Sequence, residues 1–183
     1  MQNLNTFKLP KNFRGRNAVI VQLWWIIQGI FFKNSPQFMY GFRRFLLRLF
    51  GAEIGKKVII RPSVKTTYPW KVKIGNYSWI GDDVVLYSLG EIEIGNNVVI
   101  SQKSYICTGS HNYMKSDFPI YAKRIKISDQ CWLATDVFVG PGVTIGNGTV
   151  IGARSSVYKN IPSYKICTGN PVKILRDRIS EKI

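Results

Sequence analysis

His111 is the single histidine of this 183-residue chain, and imidazole is the side chain whose ordinary titration falls near neutrality. It follows Gly109 and Ser110, and Cys107 stands four residues before it. An imidazole so placed can take the proton of a hydroxyl as that oxygen attacks a carbonyl. A neighbouring thiol offers a second route, an acyl-cysteine intermediate. That route needs an accessible thiol of lowered pKa, and Cys107 directly follows the aliphatic Ile106. His111 is therefore the candidate general base. The three cysteines, Cys107, Cys131 and Cys167, are odd in number and widely spaced, with no CxxC pair. They indicate neither a zinc site nor a disulfide framework and read as reduced, buried thiols. A metal centre built on three histidines is excluded by the count, and no metal is expected.

Apolar residues make up 45% and charged residues 20%, which fits one folded domain with a short appendage. The formal net charge of +16 favours anionic partners. No acidic residue precedes Glu53, while Lys8, Lys11, Arg14, Arg16, Lys33, Arg43, Arg44 and Arg48 all do. These cations are not interleaved with a recognisable nucleic-acid recognition element, so no nucleic-acid partner is expected. No signal-peptide pattern is visible. The apolar run from Ala18 to Phe32 is interrupted by Gln22, Gln28 and Gly29, and it is shorter than the roughly 20 residues of a spanning helix. The expected location is the cytoplasm.

His111 must be held by a scaffold, and the scaffold shows as a period of six. Aliphatic anchors recur at Ile54 and Ile60, at Ile74, Ile80 and Leu86, and at Ile94, Ile100 and Ile106. After a break they resume at Ile127, Leu133, Val139, Ile145, Ile151 and Val157. Small residues follow many anchors, among them Gly75, Gly95, Ala134, Gly146 and Gly152. Six matches neither an amphipathic helix nor a flat sheet. It matches stacked coils of short strands separated by tight corners, in which each coil buries the apolar edge of its neighbour. Between Ile106 and Ile127 the period fails, and the inserted segment 107–126 carries His111. A long loop on a rigid scaffold is a place where function collects.

The segments Ile74-Gly75-Asn76, Ile80-Gly81-Asp82, Ile94-Gly95-Asn96 and Val139 through Gly146 resemble the hexapeptide-repeat acyltransferases. More narrowly, Leu49 through Gly55, Tyr68-Pro69-Trp70, Ser101-Gln102, Cys107 through His111 and Gly169-Asn170-Pro171 resemble the colanic-acid-type sugar O-acetyltransferases of exopolysaccharide and O-antigen pathways. The likeness covers roughly residues 12–176. It implies an all-β fold: a left-handed parallel β-helix with an N-terminal helical segment, a long loop after the middle coils and a short C-terminal helix. The expected division is a basic, aromatic segment at 1–52, the β-helix at 53–165, and a tail at 166–183.

The resemblance also implies a reaction, acetyl transfer from acetyl-CoA to a sugar hydroxyl, with His111 as base. For the coenzyme it points to Trp132, Ala134 and Thr135, to Gly152 and Ala153, to Tyr158 and Lys159, and to the cations Lys173 and Arg176. The small residues among these are equally expected from turn geometry. For the acceptor it points to Tyr87 and Ser88, where relatives such as the galactoside acetyltransferases carry an asparagine. Asn112 is a further acceptor-side candidate, able to orient the imidazole or simply to shape a turn. Family members are trimers with sites between neighbouring β-helices, so a homotrimer is expected. No Walker-type or dinucleotide glycine fingerprint is present, which argues against ATP or NAD.

The opening segment admits two uses. Its aromatics and cations, with a helix start at Ser35-Pro36, fit either a cap on the open end of the solenoid or an interfacial element at the inner face of a membrane. The latter would serve a lipid-linked glycan acceptor. The rival function is a non-catalytic β-helix scaffold of a membrane-associated polysaccharide assembly complex.

Overall fold

The structure is a computed structural model that describes residues 1–179. Its body is a three-faced parallel β-helix. Face A stacks Glu53–Ile54, Val72–Ile74, Ile92–Ile94, Ile125–Ile127 and Thr144–Ile145. Face B stacks Ile59–Ile60, Trp79–Ile80, Val99–Ile100, Trp132–Leu133, Val150–Ile151 and Lys165–Thr168. Face C stacks Lys65–Thr66, Val85–Tyr87, Tyr105–Cys107, Phe138–Val139 and Ser156–Val157. Each of the five full coils contributes one strand to each face, and the six-residue anchors pair in register, as in Ile54↔Ile74, Ile80↔Ile100 and Ile106↔Val139. Their side chains fill the interior; Ile80, Ile100, Ile106, Leu133, Ile145 and Ile151 are fully buried.

Corners repeat as strictly as anchors. Most A–B and B–C corners carry one residue in left-handed backbone, for instance Lys57, Tyr77, Asn97 and Gln130 between faces A and B, and Asp83, Lys103, Asp136 and Arg154 between B and C. A side-chain ladder ties the A–B corners together: the carbonyl oxygens of Asn76 and Asn96 and a carboxylate oxygen of Asp129 accept from the backbone N–H groups of Lys56, Asn76 and Asn96. At Gly75 a Cβ would lie 2.5 Å from the carbonyl carbon of Gly95. This is the close approach that demands a glycine after the anchor.

The first coil has an open edge, and the N-terminal segment satisfies it. Helix α1 (Ala18–Ile27) continues into a π turn, Gln28–Phe32, and helix α2 spans Tyr40–Leu49. Trp24 and Trp25 donate to the carbonyls of Thr66 and Thr67. Arg43, Arg44 and Arg48 donate to those of Ile60, Val58 and Ile54, and Gln28 Oε1 accepts from Thr66 N–H. Buried backbone polar groups need partners, and five side chains of the cap supply the donors. These bonds close the open edge of the first coil.

Two details differ from expectation. Helix α2 begins at Tyr40, not at Pro36: the fully buried Arg43 guanidinium bonds the Ser35 hydroxyl and the Pro36 and Gln37 carbonyls, holding 35–37 as a turn. The tail through Asp177 contains no helix. Lys165–Thr168 continues face B, and Lys173–Asp177 folds back antiparallel on it. Face B thus offers an edge that a strand can pair with and a helix cannot. Residues 180–183, part of the expected tail, lie outside the described residues.

Candidate active site

The inserted segment leaves the third coil from face C and returns to face A, so it projects from the C–A corner. It forms a hairpin in which Gly109–His111 pairs antiparallel with Ile120–Ala122, placing His111 opposite Ile120. A Cβ at Gly109 would fall 2.6 Å from Leu89 Cδ1 and 3.3 Å from the Tyr87 ring, so glycine lets the hairpin lie close on the second coil. A small apolar cluster supports it from below: Val21, Tyr68 and Leu89 are buried, with Phe13, Tyr87, Ile120 and Ala122 packed against them. The N-terminal segment thus steadies the hairpin as well as capping the solenoid. Asn3 N–H donates to the Ser116 carbonyl, and the Phe7 ring lies 6.2 Å from the imidazole.

The half-buried imidazole is held by Phe118. His111 Nδ1 lies 2.9 Å from the Phe118 carbonyl oxygen, which can only accept. Neutral His111 therefore carries its proton on Nδ1 and leaves the Nε2 lone pair free. The Phe118 ring stacks on the imidazole at 4.3 Å between centroids and 10° between planes. Phe118 is the neighbour of His111 that sequence reasoning missed. Its signal was weak: an aromatic residue before Pro119 in an irregular loop, here in left-handed backbone at φ 46°. His111 opens on a depression of about 420 Å³ lined by Asn112, Tyr113, Met114, Tyr121 and Lys123.

The acceptor-side candidates separate. Tyr87 is half-buried on face C beneath the hairpin, and burial pushes its phenol up from the usual range, leaving a neutral O–H. Ser88 is fully buried, and its hydroxyl accepts from Tyr68 N–H and donates to the Tyr68 carbonyl. It has no polar atom left for an acceptor, because relief of the Tyr68 corner already uses it. Asn112 lines the depression, but its side-chain oxygen accepts from Met114 N–H. It shapes the turn, and the imidazole is oriented by Phe118 instead.

Cys107 does not show the lowered pKa that an acyl-cysteine route needs. Burial raises its thiol pKa, and the thiol donates to the Gly109 carbonyl. Cys131 is pushed up to about 11 by burial, and burial also raises Cys167. Among the described residues no group of three or more His, Cys, Asp or Glu side chains could hold a metal ion.

The coenzyme candidates fall on two sides of the prism. Tyr158, Lys159 and Lys173 gather in a groove of about 580 Å³ at the C–A corner, with Pro171, Val172 and Ile174. This corner is the one from which the His111 hairpin projects two coils earlier. Between them Gly140 and Gly142 keep the edge low; Cβ atoms there would meet the Tyr158 ring and the Lys123 stem at 3.3 and 3.2 Å. Trp132 instead stands half-exposed on the outer surface of face B, its indole N–H bonded to Ser101 Oγ at 3.1 Å. Ala134 and Thr135 follow at the B–C corner, where Thr135 donates to the Gln102 carbonyl. Gly152 and Ala153 lie one coil on, and a Cβ at Gly152 would meet Thr168 Oγ1 at 2.8 Å. Arg176 is exposed on the edge strand opposite Ile166. Face B lies across the prism from the C–A corner, so one chain does not bring Trp132 to His111. A wide depression of about 640 Å³ over Glu53, Lys73, Glu93 and Asp129 sits on face A, and it contains neither histidine nor cysteine.

No protein-family model matches the chain. The chain is 62% identical over 179 residues, 98% of each protein, to an Escherichia coli (strain K12) protein named as a colanic acid biosynthesis acetyltransferase, WcaF. Among solved structures it superposes on a maltose O-acetyltransferase from Clostridium difficile 630 with a TM-score of 0.82 at 25% identity, covering 90% of both chains. It also superposes on a hexapeptide-repeat acetyltransferase from Vibrio cholerae, solved with acetyl coenzyme A. There the TM-score is 0.80 at 25% identity, over 91% of this chain and 92% of that one. With near-complete coverage at this identity and a β-helix of matching architecture, the chain belongs to the hexapeptide-repeat acetyltransferases, in the group of the colanic acid biosynthesis enzyme WcaF.

Proposed function

We propose that the chain transfers an acetyl group from acetyl-CoA to a sugar hydroxyl in bacterial polysaccharide biosynthesis, with His111 Nε2 as the general base. The observation that carries this is the Nδ1 hydrogen bond to the Phe118 carbonyl, which fixes the tautomer and presents a free lone pair beside an open depression. Nε2 accepts the hydroxyl proton while the sugar oxygen attacks the thioester carbonyl. The C–S bond breaks, and the imidazolium returns its proton to the departing thiolate. Tyr87 is the acceptor-side residue that retains a free O–H.

The residues present suit the co-substrate. A thiol arm needs a low, narrow edge, and Gly140 and Gly142 provide one. The phosphates need cations, and Lys159 and Lys173 converge at the far end of that edge. Trp132, Ala134, Thr135, Gly152, Ala153 and Arg176 serve through a second copy: a homotrimer sets face B of one chain against the C–A corner of the next. The enzyme acts in the cytoplasm, where acetyl-CoA is available, on a free or lipid-linked glycan.

Incubating the purified chain with acetyl-CoA and a panel of sugar acceptors tests this reading. A sugar product heavier by one acetyl group, formed together with free CoA thiol, is the expected result. A complete panel without thioester consumption would favour the scaffold role.

A further inference from the structure

The N-terminal cap has two sides. One is spent on the solenoid, where Val21, Trp24 and Phe32 of the first helical stretch and Leu46 and Leu47 of α2 are buried. The other has no partner in the chain. On α1 and its π turn, Val19, Leu23, Ile26 and Ile30 follow at spacings of four, three and four, which is one helix face, and they are 44–74% exposed. On the neighbouring turn and α2, Phe38, Phe45 and Leu49 are 57–79% exposed. The two outward stripes meet at a groove of about 410 Å³ that includes Leu23, Ile27, Leu49 and Phe50, with Arg16 at its rim. Apart from Gln22, α1 is apolar around its circumference; such a helix belongs in apolar surroundings on all sides, and α1 has them on one.

Charge says what covers the other. Residues 1–52 contain eight Lys and Arg and no carboxylate. Arg43, Arg44 and Arg48 are engaged with first-coil carbonyls, while Lys8, Lys11, Arg16 and Lys33 are exposed. An apolar surface carrying aromatics, on a segment whose charges are all cationic, matches the anionic boundary of a phospholipid bilayer. Spanning is ruled out for this element, since no helix among the described residues is long and apolar enough to cross a membrane, and its inner face is fastened to the first coil.

We infer that the cap is a membrane foot that seats Leu23, Ile26, Ile30, Phe38 and Phe45 at the headgroup–acyl boundary of an anionic bilayer, with Lys11, Arg16 and Lys33 on the lipid phosphates. The solenoid then stands capped end down. His111 projects from the third coil, two coil spacings or about 10 Å beyond the coil that the cap covers. That height suits a glycan carried on a lipid and not the lipid headgroup itself. This last point alone rests on the proposed acetyl transfer.

Sedimentation of the full chain with extruded vesicles tests the foot. Vesicles of phosphatidylglycerol with phosphatidylethanolamine are expected to bind at least about tenfold more protein than phosphatidylcholine vesicles, with the excess lost as salt is raised. The paired change Ile30→Asp and Phe38→Asp, both at exposed sites, is expected to remove binding about tenfold. Its melting temperature and its acetyl transfer to a soluble sugar should stay unchanged. Equal binding to both vesicle types overturns the inference, as does anionic binding that survives the Asp pair. So does an Asp pair that only lowers the oligomeric mass, which would mark the face as a contact between copies. Vesicle binding without any acetyl transfer would leave the foot standing and remove the proposed function.

Discussion

His111 and Phe118 form one unit: the imidazole Nδ1 lies 2.9 Å from the Phe118 carbonyl, and the two rings stack with centroids 4.3 Å apart. A single residue thus sets both the tautomer and the plane of the imidazole. The carbonyl cannot be removed by substitution, but the ring can. Phe118→Ala should lower kcat about tenfold by loosening the angle at which Nε2 meets the hydroxyl, while KM for acetyl-CoA stays unchanged. Phe118→Tyr, which keeps the stack, should restore most of the rate. Steady-state kinetics of the two variants check this; a loss that Tyr fails to rescue would point to a general disturbance of the hairpin.

Lys159 and Lys173 should act on the coenzyme alone. Both are exposed, so their attraction for phosphate is screened by salt. The double change Lys159→Ala and Lys173→Ala should raise KM for acetyl-CoA about tenfold with kcat nearly intact. It should also flatten the salt dependence of KM. A fall in kcat alone would contradict this assignment.

Arg43 should matter for stability and not for chemistry. Its fully buried guanidinium satisfies the carbonyls of Ile60, Pro36 and Gln37, and Arg43→Met would leave these acceptors without a donor. Unpaired buried polar groups cost about 1–3 kcal/mol each, and water entry will recover part of that. A loss of about 3 kcal/mol in chemical denaturation is expected, with transfer activity unchanged per folded molecule.

Alkylation separates the two chemistries once considered for the loop. Burial holds all three thiols above their ordinary range, Cys131 at about 11. A raised thiol pKa leaves less thiolate at any pH below it; for Cys131 at pH 8 that is about one part in a thousand, rising tenfold per pH unit. Iodoacetamide labelling followed by mass spectrometry should be slow at pH 7.5 and accelerate towards pH 10, and Cys107→Ser should keep its transfer activity. Loss of acetyl transfer in Cys107→Ser would reopen the acyl-cysteine route.

The sequence displayed the scaffold because the solenoid repeats one rule. Ile74, Ile94 and Ile127 face the same interior, and the six-residue spacing between anchors survives in the plain order of residues. His111 was legible for the opposite reason: it stands where the rule breaks. The side chains that complete its surroundings were not, because each depends on a contact no period records. Phe118 reaches the imidazole through a carbonyl in an irregular loop. The resemblance pointed to Ser88 as an acceptor ligand, yet its hydroxyl is engaged by Tyr68 one coil below. Arg43 read as one of several surface cations, and only the open edge of the first coil explains why it is buried. The short C-terminal helix that the resemblance implied is replaced through Asp177 by a strand, because the Lys165–Thr168 edge offers it a partner.

The most direct test is the rate of acetyl transfer by His111→Ala, measured beside binding of CoA to the same variant. General bases contribute typically 10²–10⁴-fold, so the rate should fall at least about a hundredfold while CoA binds with an affinity close to that of the unchanged chain. Turnover within a few-fold of the unchanged chain would contradict the assignment of His111 as the base.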